Sequence, residues 1–379
     1  MNFIGDLKEL NYSLSVIRSV ITLKNKGVFE GIQFNAKDGK LFITGSDGVC
    51  TITSEMNVTI LEEGLVVVPA MFAEILSKQS GYQIQISQEG NTVCVYGDNS
   101  GKKKSKSKAS ISIMTGDSLT EVPEMNEANL RVNSETFFDA INNVQFAIAK
   151  EENRVVLTGM YVEIAEDIQL TTLDGFKMSH LSVPGTTNVP DGTKIHGIIP
   201  GRACALMSKI AHSGAKDEDF VMSIQSGTAV CACGAFRMRA VLIAGEYVDY
   251  NRIVPQESKI DARVKKEDLL QGLSRVYVYT SDSIEKNIVR LNFSESCLTL
   301  SAHASFGEVE DEMDADVQGG DILIAFNSQF LTDTVKSVAG DYVCFHMTSS
   351  VSTVKITDGE SNQIAIILPV RVRSESSVA

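Results

Sequence analysis

The chain has 379 residues with 34 Lys+Arg against 48 Asp+Glu, a formal net charge of −14. That balance excludes a protein that coats nucleic acid with its whole surface, though not one that gathers cations on a single concave face. The lack of Trp and an aromatic fraction of 7% exclude a base-stacking platform. No run of about 18 apolar residues is present to span a bilayer. Asp6, Lys8, Glu9 and Arg18 stand among spaced apolar positions near the start, a helix pattern and not a signal peptide, so a soluble, cytoplasmic chain is expected.

Leu7, Leu10, Leu14, Ile17 and Ile21 recur at three and four and predict a helix with one apolar stripe. Strands are expected at 28–36, 40–46 and 48–58. A buried strand at 65–68 then runs through Pro69-Ala70 into a helix with Phe72, Ile75 and Leu76 inward. Strands at 82–88 and 92–97 precede a lysine-rich run, and Ser110-Ile111-Ser112-Ile113 alternates as an edge strand does. A second cycle opens at Asn133 or Ser134, either a suitable N-cap, with the stripe Phe137, Ile141, Val144 and Ile148. Its segment 194–199 enters a helix after Pro200-Gly201, with Leu206, Met207 and Ile210 inward. A third cycle starts near Lys265 with Leu269, Leu270 and Leu273, and 321–326 runs into a helix over 327–338.

One local pattern ties the cycles together. Leu170-Thr171-Thr172-Leu173-Asp174-Gly175 reads as a strand entering a tight turn where Gly tolerates positive φ. Ile43-Thr44-Gly45-Ser46-Asp47-Gly48 does nearly the same in the first cycle, and 298–305 is a worn third copy. The chain is therefore read as one α+β unit written three times, each with two helices on one face of antiparallel sheets. The expected domains are 1–125, 126–256 and 257–372, with 373–379 as a disordered tail.

The seven cysteines fall mostly in strand-like segments. Cys231 and Cys233 share a strand face, but no second Cys/His pair at zinc spacing accompanies them, so buried reduced thiols and no metal or other cofactor are expected. Five scattered histidines and the lack of Gly-x-Ser-x-Gly or His-Glu-x-x-His leave a hydrolase on a repeat β scaffold without its machinery. The acidic stretch 308–316 lacks the Asp-x-Asp-x-Asp-Gly order of a calcium loop and reads as a solvated loop.

Four motifs in order carry a resemblance. They are Leu157-Thr158-Gly159-Met160, Thr172-Leu173-Asp174-Gly175-Phe176-Lys177-Met178, Gly245-Glu246-Tyr247-Val248-Asp249-Tyr250-Asn251-Arg252-Ile253-Val254-Pro255 and Ile366-Ile367-Leu368-Pro369-Val370-Arg371. With three repeats at this length, the chain resembles the bacterial DNA polymerase III beta subunits, the replication sliding clamps. That resemblance implies three tandem clamp domains in a head-to-tail homodimeric ring around duplex DNA, sheets outside and helices lining the hole. It implies no catalytic activity. A clamp loader opens the ring, and the polymerase III catalytic subunit and other polymerases or repair proteins bind through short peptides. A clamp-like paralogue or viral homologue with altered partner specificity is the alternative.

The resemblance also implies site residues. A partner peptide of the Gln-Leu-x-Leu-Phe kind would sit between the second and third domains against Leu157, Leu173, Gly175, Lys177, Met178, Arg252, Ile253, Val254, Ile366, Leu368, Pro369, Val370 and Arg371. Taken bare, these are ordinary core residues; as a set they suit an apolar anchor with a few polar groups at the rim. Leu173, Phe176, Lys177 and Val248 depart from residues common in the family, and Lys for Arg loses bidentate hydrogen bonding. Lys24, Lys26, Lys78, Arg154, Arg202, Lys209 and Lys336 would face DNA, where the bland reading is a solvated surface cation. The lysine run 102–108 reads as a solvated loop guarding an edge. The dimer interface would join the strand carrying Ala109, Ile111 and Ile113 to a segment with Arg275, Val278 and Tyr279 of another copy, edge to edge.

Overall fold

A computed structural model describes residues 1–22, 26–97, 107–150, 153–213, 218–281 and 287–371, with residue 107 as backbone alone. The first repeat runs β1 (Asn2–Asp6), α1 (Leu7–Ile17), β2 (Gly31–Lys37), β3 (Lys40–Ser46), β4 (Cys50–Asn57), β5 (Thr59–Glu62), β6 (Gly64–Pro69), α2 (Phe72–Ser77), β7 (Gln83–Glu89), β8 (Thr92–Gly97) and β9 (Ser107–Ser112). The second runs β10 (Leu130–Asn133), α3 (Ser134–Val144), β11 (Gly159–Ile164), β12 (Ile168–Leu173), β13 (Lys177–Val183), β14 (Thr186–Thr187), β15 (Ile195–Pro200), α4 (Gly201–Ser213), β16 (Asp219–Gln225), β17 (Thr228–Cys233) and β18 (Phe236–Val241). The third runs β19 (Ile260–Lys265), α5 (Lys266–Thr280), β20 (Ile288–Ser294), β21 (Cys297–Ala304), β22 (Gly307–Gln318), β23 (Ile322–Asn327), α6 (Ser328–Ser337), β24 (Tyr342–Met347), β25 (Val354–Thr357) and β26 (Ile364–Ile367). Among the described residues each repeat thus holds two α-helices, one after its first strand and one before its last three, the α+β pattern the sequence predicts.

Local chemistry sets these elements. The Asp6 carboxylate accepts from the Lys8 and Glu9 amides at 2.8 and 3.0 Å and starts α1. The Asn133 side chain does the same for α3, accepting from Glu135 and Thr136. Asn327 caps α6 through Gln329 and Phe330. Leu7, Leu10, Leu14 and Ile17 are buried along α1, each worth roughly 1.5–3 kcal/mol relative to exposure. At the first two hairpins the same turn recurs. Asp47 Oδ1 accepts from the Val49 and Cys50 amides, Asp174 Oδ1 from Phe176 and Lys177. Gly48 and Gly175 both have φ +88°, which a side chain rarely adopts. The third hairpin turns on Ser305-Phe306, with Ala304 opposite Gly307 and no Asp to hold the amides.

The chain packs as two compact units. One comprises Met1–Phe138, Ile164–Glu166 and Gly185–Leu242; the other comprises Asp139–Glu163, Asp167–Pro184 and the chain from Ile243. In the first unit, one sheet has the order β14-β10-β16-β17-β18-β4-β3-β2-β6 and the other β5-β1-β7-β8-β9. The second unit contains the run β11-β12-β13-β26-β25-β24-β19-β22-β21-β20-β23. Each unit therefore holds one junction where a strand of one repeat pairs with a strand of the next. In the first, β18 lies antiparallel to β4, with Ala240 opposite Cys50 and Phe236 opposite Ser54. In the second, β26 lies antiparallel to β13, with Ile367 opposite Lys177 and Ile364 opposite His180.

Four expectations are corrected. The acidic stretch 308–316 is strand, the middle of β22, and not a loop. Its acids alternate: Glu308, Glu310, Glu312, Asp314 and Asp316 are exposed, while Val309, Asp311, Met313, Ala315 and Val317 turn inward to differing depths. The segment with Arg275, Val278 and Tyr279 is the last part of α5 and has no strand edge to offer; Val276 and Thr280 are buried along the helix. Ile148 lies beyond α3, after a 3-10 turn at Gln145–Ala147. The strand expected at 28–36 opens instead as a 3-10 turn over Gly27–Glu30.

Candidate functional site

The second hairpin brings most of the expected peptide-site residues together, all within the second unit. Ala149, Leu157, Leu173, Met178 and Ile366 form a buried apolar cluster, and Val156, Tyr247, Val248, Tyr250, Ile253, Val254 and Ile364 pack against it. Alternation explains the membership: Leu173 and Met178 are cross-strand partners closing the β12–β13 hairpin, and Ile366 lies opposite Met178 on β26. Sequence reasoning missed Ala149, Val156, Tyr247, Tyr250 and Ile364. The available signal was the Tyr247, Tyr250 and Ile253 spacing within a motif already singled out.

The remaining expected residues take different positions around this cluster. Gly175 is the exposed turn itself. The Lys177 ammonium pairs with the Asp174 carboxylate in a nearly buried salt bridge and sits 4.8 Å from the centroid of the Phe330 ring. Phe176, 59% exposed, lies with its ring centroid 5.9 Å from that of Phe330. Arg252 projects into solvent with Asp249 at 2.9 Å. Leu368, 39% exposed, donates its amide to the Phe176 carbonyl at 2.9 Å. Pro369 follows half-buried, the Val370 amide donates to the Ala325 carbonyl at 2.8 Å, and Arg371 is exposed. The resulting surface is apolar at its floor, and the one cation nearest that floor is already neutralised by a carboxylate.

The cations expected to face DNA divide into two kinds. Lys26, Lys78, Arg154 and Lys336 are exposed; Lys24 lies outside the described residues. Arg202 and Lys209 of α4 instead hold the end of the first repeat's helix. Lys209 Nζ donates to the Ser15 carbonyl at 2.8 Å, and Arg202 Nη2 donates to Val20 O at 2.6 Å while its Nε meets Asp47 at 2.7 Å. Cations at a helix C-terminus satisfy carbonyls with no intrahelical partner and complement the dipole. Partial burial holds the Lys209 ammonium below its ordinary value.

Of the expected interface residues, Ala109 and Ile111 turn inward on β9 and Ile113 follows it, half-buried. Arg275 pairs with Asp311, Val278 is 61% exposed, and the Tyr279 ring lies 5.4 Å from that of Phe306. The lysine run is described only at its end, where Lys108 meets Glu89 at 3.4 Å and covers the Tyr96 ring; 102–106 and the expected tail 373–379 lie outside the described residues. All seven cysteines are free. Burial pushes the Cys50 thiol up to about 12 and the Cys233 thiol to about 11, far from a reactive thiolate. Among the described residues no group of His, Cys, Asp or Glu is arranged to hold a metal ion, and no helix is long and apolar enough to cross a membrane.

Three copies of one helix-bearing, antiparallel unit, strung strand to strand across their junctions, define a clamp-type fold. Comparison with known proteins gives the family. Residues 1–117, 131–249 and 251–371 match the N-terminal, central and C-terminal domains of the DNA polymerase III beta subunit. The beta sliding clamps of Staphylococcus epidermidis and Staphylococcus aureus are each 25% identical over 381 aligned residues, covering 96% of this chain and 97% of theirs. The DNA polymerase sliding clamp from Bacillus subtilis superposes with a TM-score of 0.89 at 20% identity, covering 98% of this chain and 100% of that one. The chain belongs to the DNA polymerase III beta subunit family, and its three domains are sliding-clamp domains.

Proposed function

We propose that two copies of this chain, each with domains over 1–125, 126–256 and 257–372, close head to tail into a ring around duplex DNA. In the cytoplasm the ring would tether the polymerase III catalytic subunit and other polymerases or repair proteins to the template after a loader has opened it, catalysing nothing itself. The observation that carries this reading is the repeated junction. β4 takes β18 along its outer edge and β13 takes β26. The equivalent strand of the third repeat, β22, pairs over its first half only with β21, and β9, the equivalent of β18, pairs only with β8. Among the described residues these two edges are the unfilled members of a third junction, and a second copy supplies both.

The register follows from the filled junctions. Ala240 faces Cys50, and Ile111 and Gly307 stand at the matching positions of their hairpins. Ile111 of one copy would then face Gly307 of the other, Ala109 would face Val309, and Lys108 would face Glu310. The faces agree: Lys108 and Glu310 are both exposed, and Ala109 and Val309 both turn inward. At the first junction Arg237, the counterpart of Lys108, pairs with Glu55 of β4. Val278 and Phe306, both largely exposed on the third repeat, would supply apolar contact beside the strands.

A ring threaded by DNA holds by topology, so a net-acidic protein needs only loose contacts to phosphate. Lys26, Lys78, Arg154 and Lys336 are suited to these, with Lys24, and with Arg202 and Lys209 adding charge while they hold α1. Partners would bind the cluster around Leu173, Met178 and Ile366 through an apolar peptide, with Phe176, Leu368, Pro369, Val370 and Arg371 along its rim. The buried pairing of Lys177 favours a peptide preference shifted away from acidic residues, the mark of a clamp-like paralogue or viral homologue with altered partner specificity. Sedimentation and negative-stain imaging test the ring: dimers with six domains around a central hole are expected. Monomers at every concentration would refute it.

A further inference from the structure

The wall of the apolar cluster formed by 247–254 has almost no secondary structure of its own beyond a 3-10 turn at Tyr250–Arg252. It is held by side chains that the sequence did not single out. The Tyr247 ring stacks on Tyr161 of β11, with centroids 5.1 Å apart and planes at 13°. Three residues on, the Tyr250 ring stacks on the His180 imidazole of β13 at 4.7 Å and 27°. The Tyr250 hydroxyl donates to Gln169 Oε1 at 2.9 Å, and His180 Nδ1 lies 2.9 Å from Thr171 Oγ1, its cross-strand neighbour. Two rings of one segment are thus clasped by β11, β12 and β13, on the same face of β12 and β13 that carries Leu173 and Met178 of the cluster's floor.

We propose that His180 and Tyr250 are positioning residues for the partner-peptide site, and that protonating His180 loosens the 247–254 wall. The inference rests on reading the cluster as the peptide site. A neutral imidazole stacks on a phenol ring and keeps one ring nitrogen for Thr171; an imidazolium there must be desolvated between strands. The groups facing His180 are Thr171 on β12, Tyr250 above, and Ile364 across on β26, none of them anionic. Asp167 and Glu163 pull toward the charged form, yet burial prevails and holds the imidazole below its ordinary value. The sign follows: docking is at full strength above the open segment's ordinary value of about 6.5 and is lost progressively as pH falls from there through the lowered one.

Two readouts on the full chain test this: hydrogen exchange of the 247–254 amides, and affinity for acetyl-Gln-Leu-Ser-Leu-Phe, each at pH 7.5 and 5.5. After correction for chemical exchange, the native segment should open more often at pH 5.5, by at most about tenfold, since one pH unit below its ordinary value the imidazole of the open segment is about ten parts protonated to one. Peptide affinity should fall in the same direction. His180→Gln, which cannot titrate, should flatten both profiles. Tyr250→Phe, which loses the bond to Gln169 and keeps the stacked ring, should open the segment severalfold at both pH values and leave the slope. The same slope in His180→Gln as in the native chain, or unchanged exchange in Tyr250→Phe, overturns the clasp. No peptide binding at pH 7.5 refutes the site reading and the positioning role with it, whereas exchange still decides whether the clasp titrates.

Discussion

The two Asp-Gly turns make an internal control for a buried ion pair. Asp47 and Asp174 bind the same two amides of the same hairpin, but their cationic partners differ. Arg202, which meets Asp47, has a side chain 43% exposed and keeps carbonyl acceptors at Val20 and Ser19. Lys177, which meets Asp174, is 7% exposed in its side chain and packs on Phe330. Asparagine at either position preserves the Oδ1 acceptor for the two amides, removes the charge and puts an NH2 where Oδ2 met the cation. Leaving a buried charge without its partner costs about 3–5 kcal/mol, and the lower end applies because the ammonium keeps the Phe330 ring beside it. At Asp47 the carboxylate is 8% exposed but its cation stays half in water, and such a solvent-screened pair is worth at most about 1 kcal/mol. Asp174→Asn should therefore raise the opening rate of the Leu173 and Met178 amides about a hundredfold by native-state hydrogen exchange, and Asp47→Asn should raise its own hairpin's by no more than about fivefold. Equal changes at the two hairpins would refute the claim that Lys177 is held as a buried, paired charge.

Other outcomes follow from the same geometry. Met178→Lys places a cation in the fully buried floor of the cluster; peptide binding measured by calorimetry should vanish while the sedimentation coefficient stays that of the native protein. Removing residues 369–379 should do the same by stripping the rim. Glu310→Lys should weaken self-association at least tenfold at low salt, with recovery in the double variant Lys108→Glu/Glu310→Lys; no recovery would refute the register derived from the filled junctions. Lys209→Met should destabilise the first unit by about 1 kcal/mol, the worth of a helix-end cation bonded to a carbonyl, seen as a lower urea midpoint.

What the sequence made legible was periodic. The stripe of α1, the strand-to-helix passages at Pro69 and Pro200, and the first two Asp-Gly turns each rest on neighbours within one turn or hairpin, where spacing alone dictates geometry. The strand character of β22 is hidden in the sequence because its outward row from Glu308 to Asp316 is entirely acidic, and its inward row of Val309, Asp311, Met313, Ala315 and Val317 is too mixed to signal alternation. The last part of α5, Val276-Tyr277-Val278-Tyr279-Thr280, has β-branched and aromatic residues that favour strand; packing of α5 against β21 and β22 overrides that preference. The apolar floor of the site was readable only through a family resemblance, since Leu173, Ile253 and Ile366 come from separate segments. The clasp around His180 was not readable at all, because its rings come from β11, β13 and a segment without regular structure.

The central claim, that the chain acts by encircling DNA, is tested most directly by topological retention. Ile111→Cys and Gly307→Cys, at facing positions of the derived interface, would be oxidised after the ring is loaded onto nicked circular DNA, and the complex washed in high salt. Retention on the circle, with release when a restriction enzyme linearises it, is the predicted result. Equal loss from circular and linear DNA would contradict it.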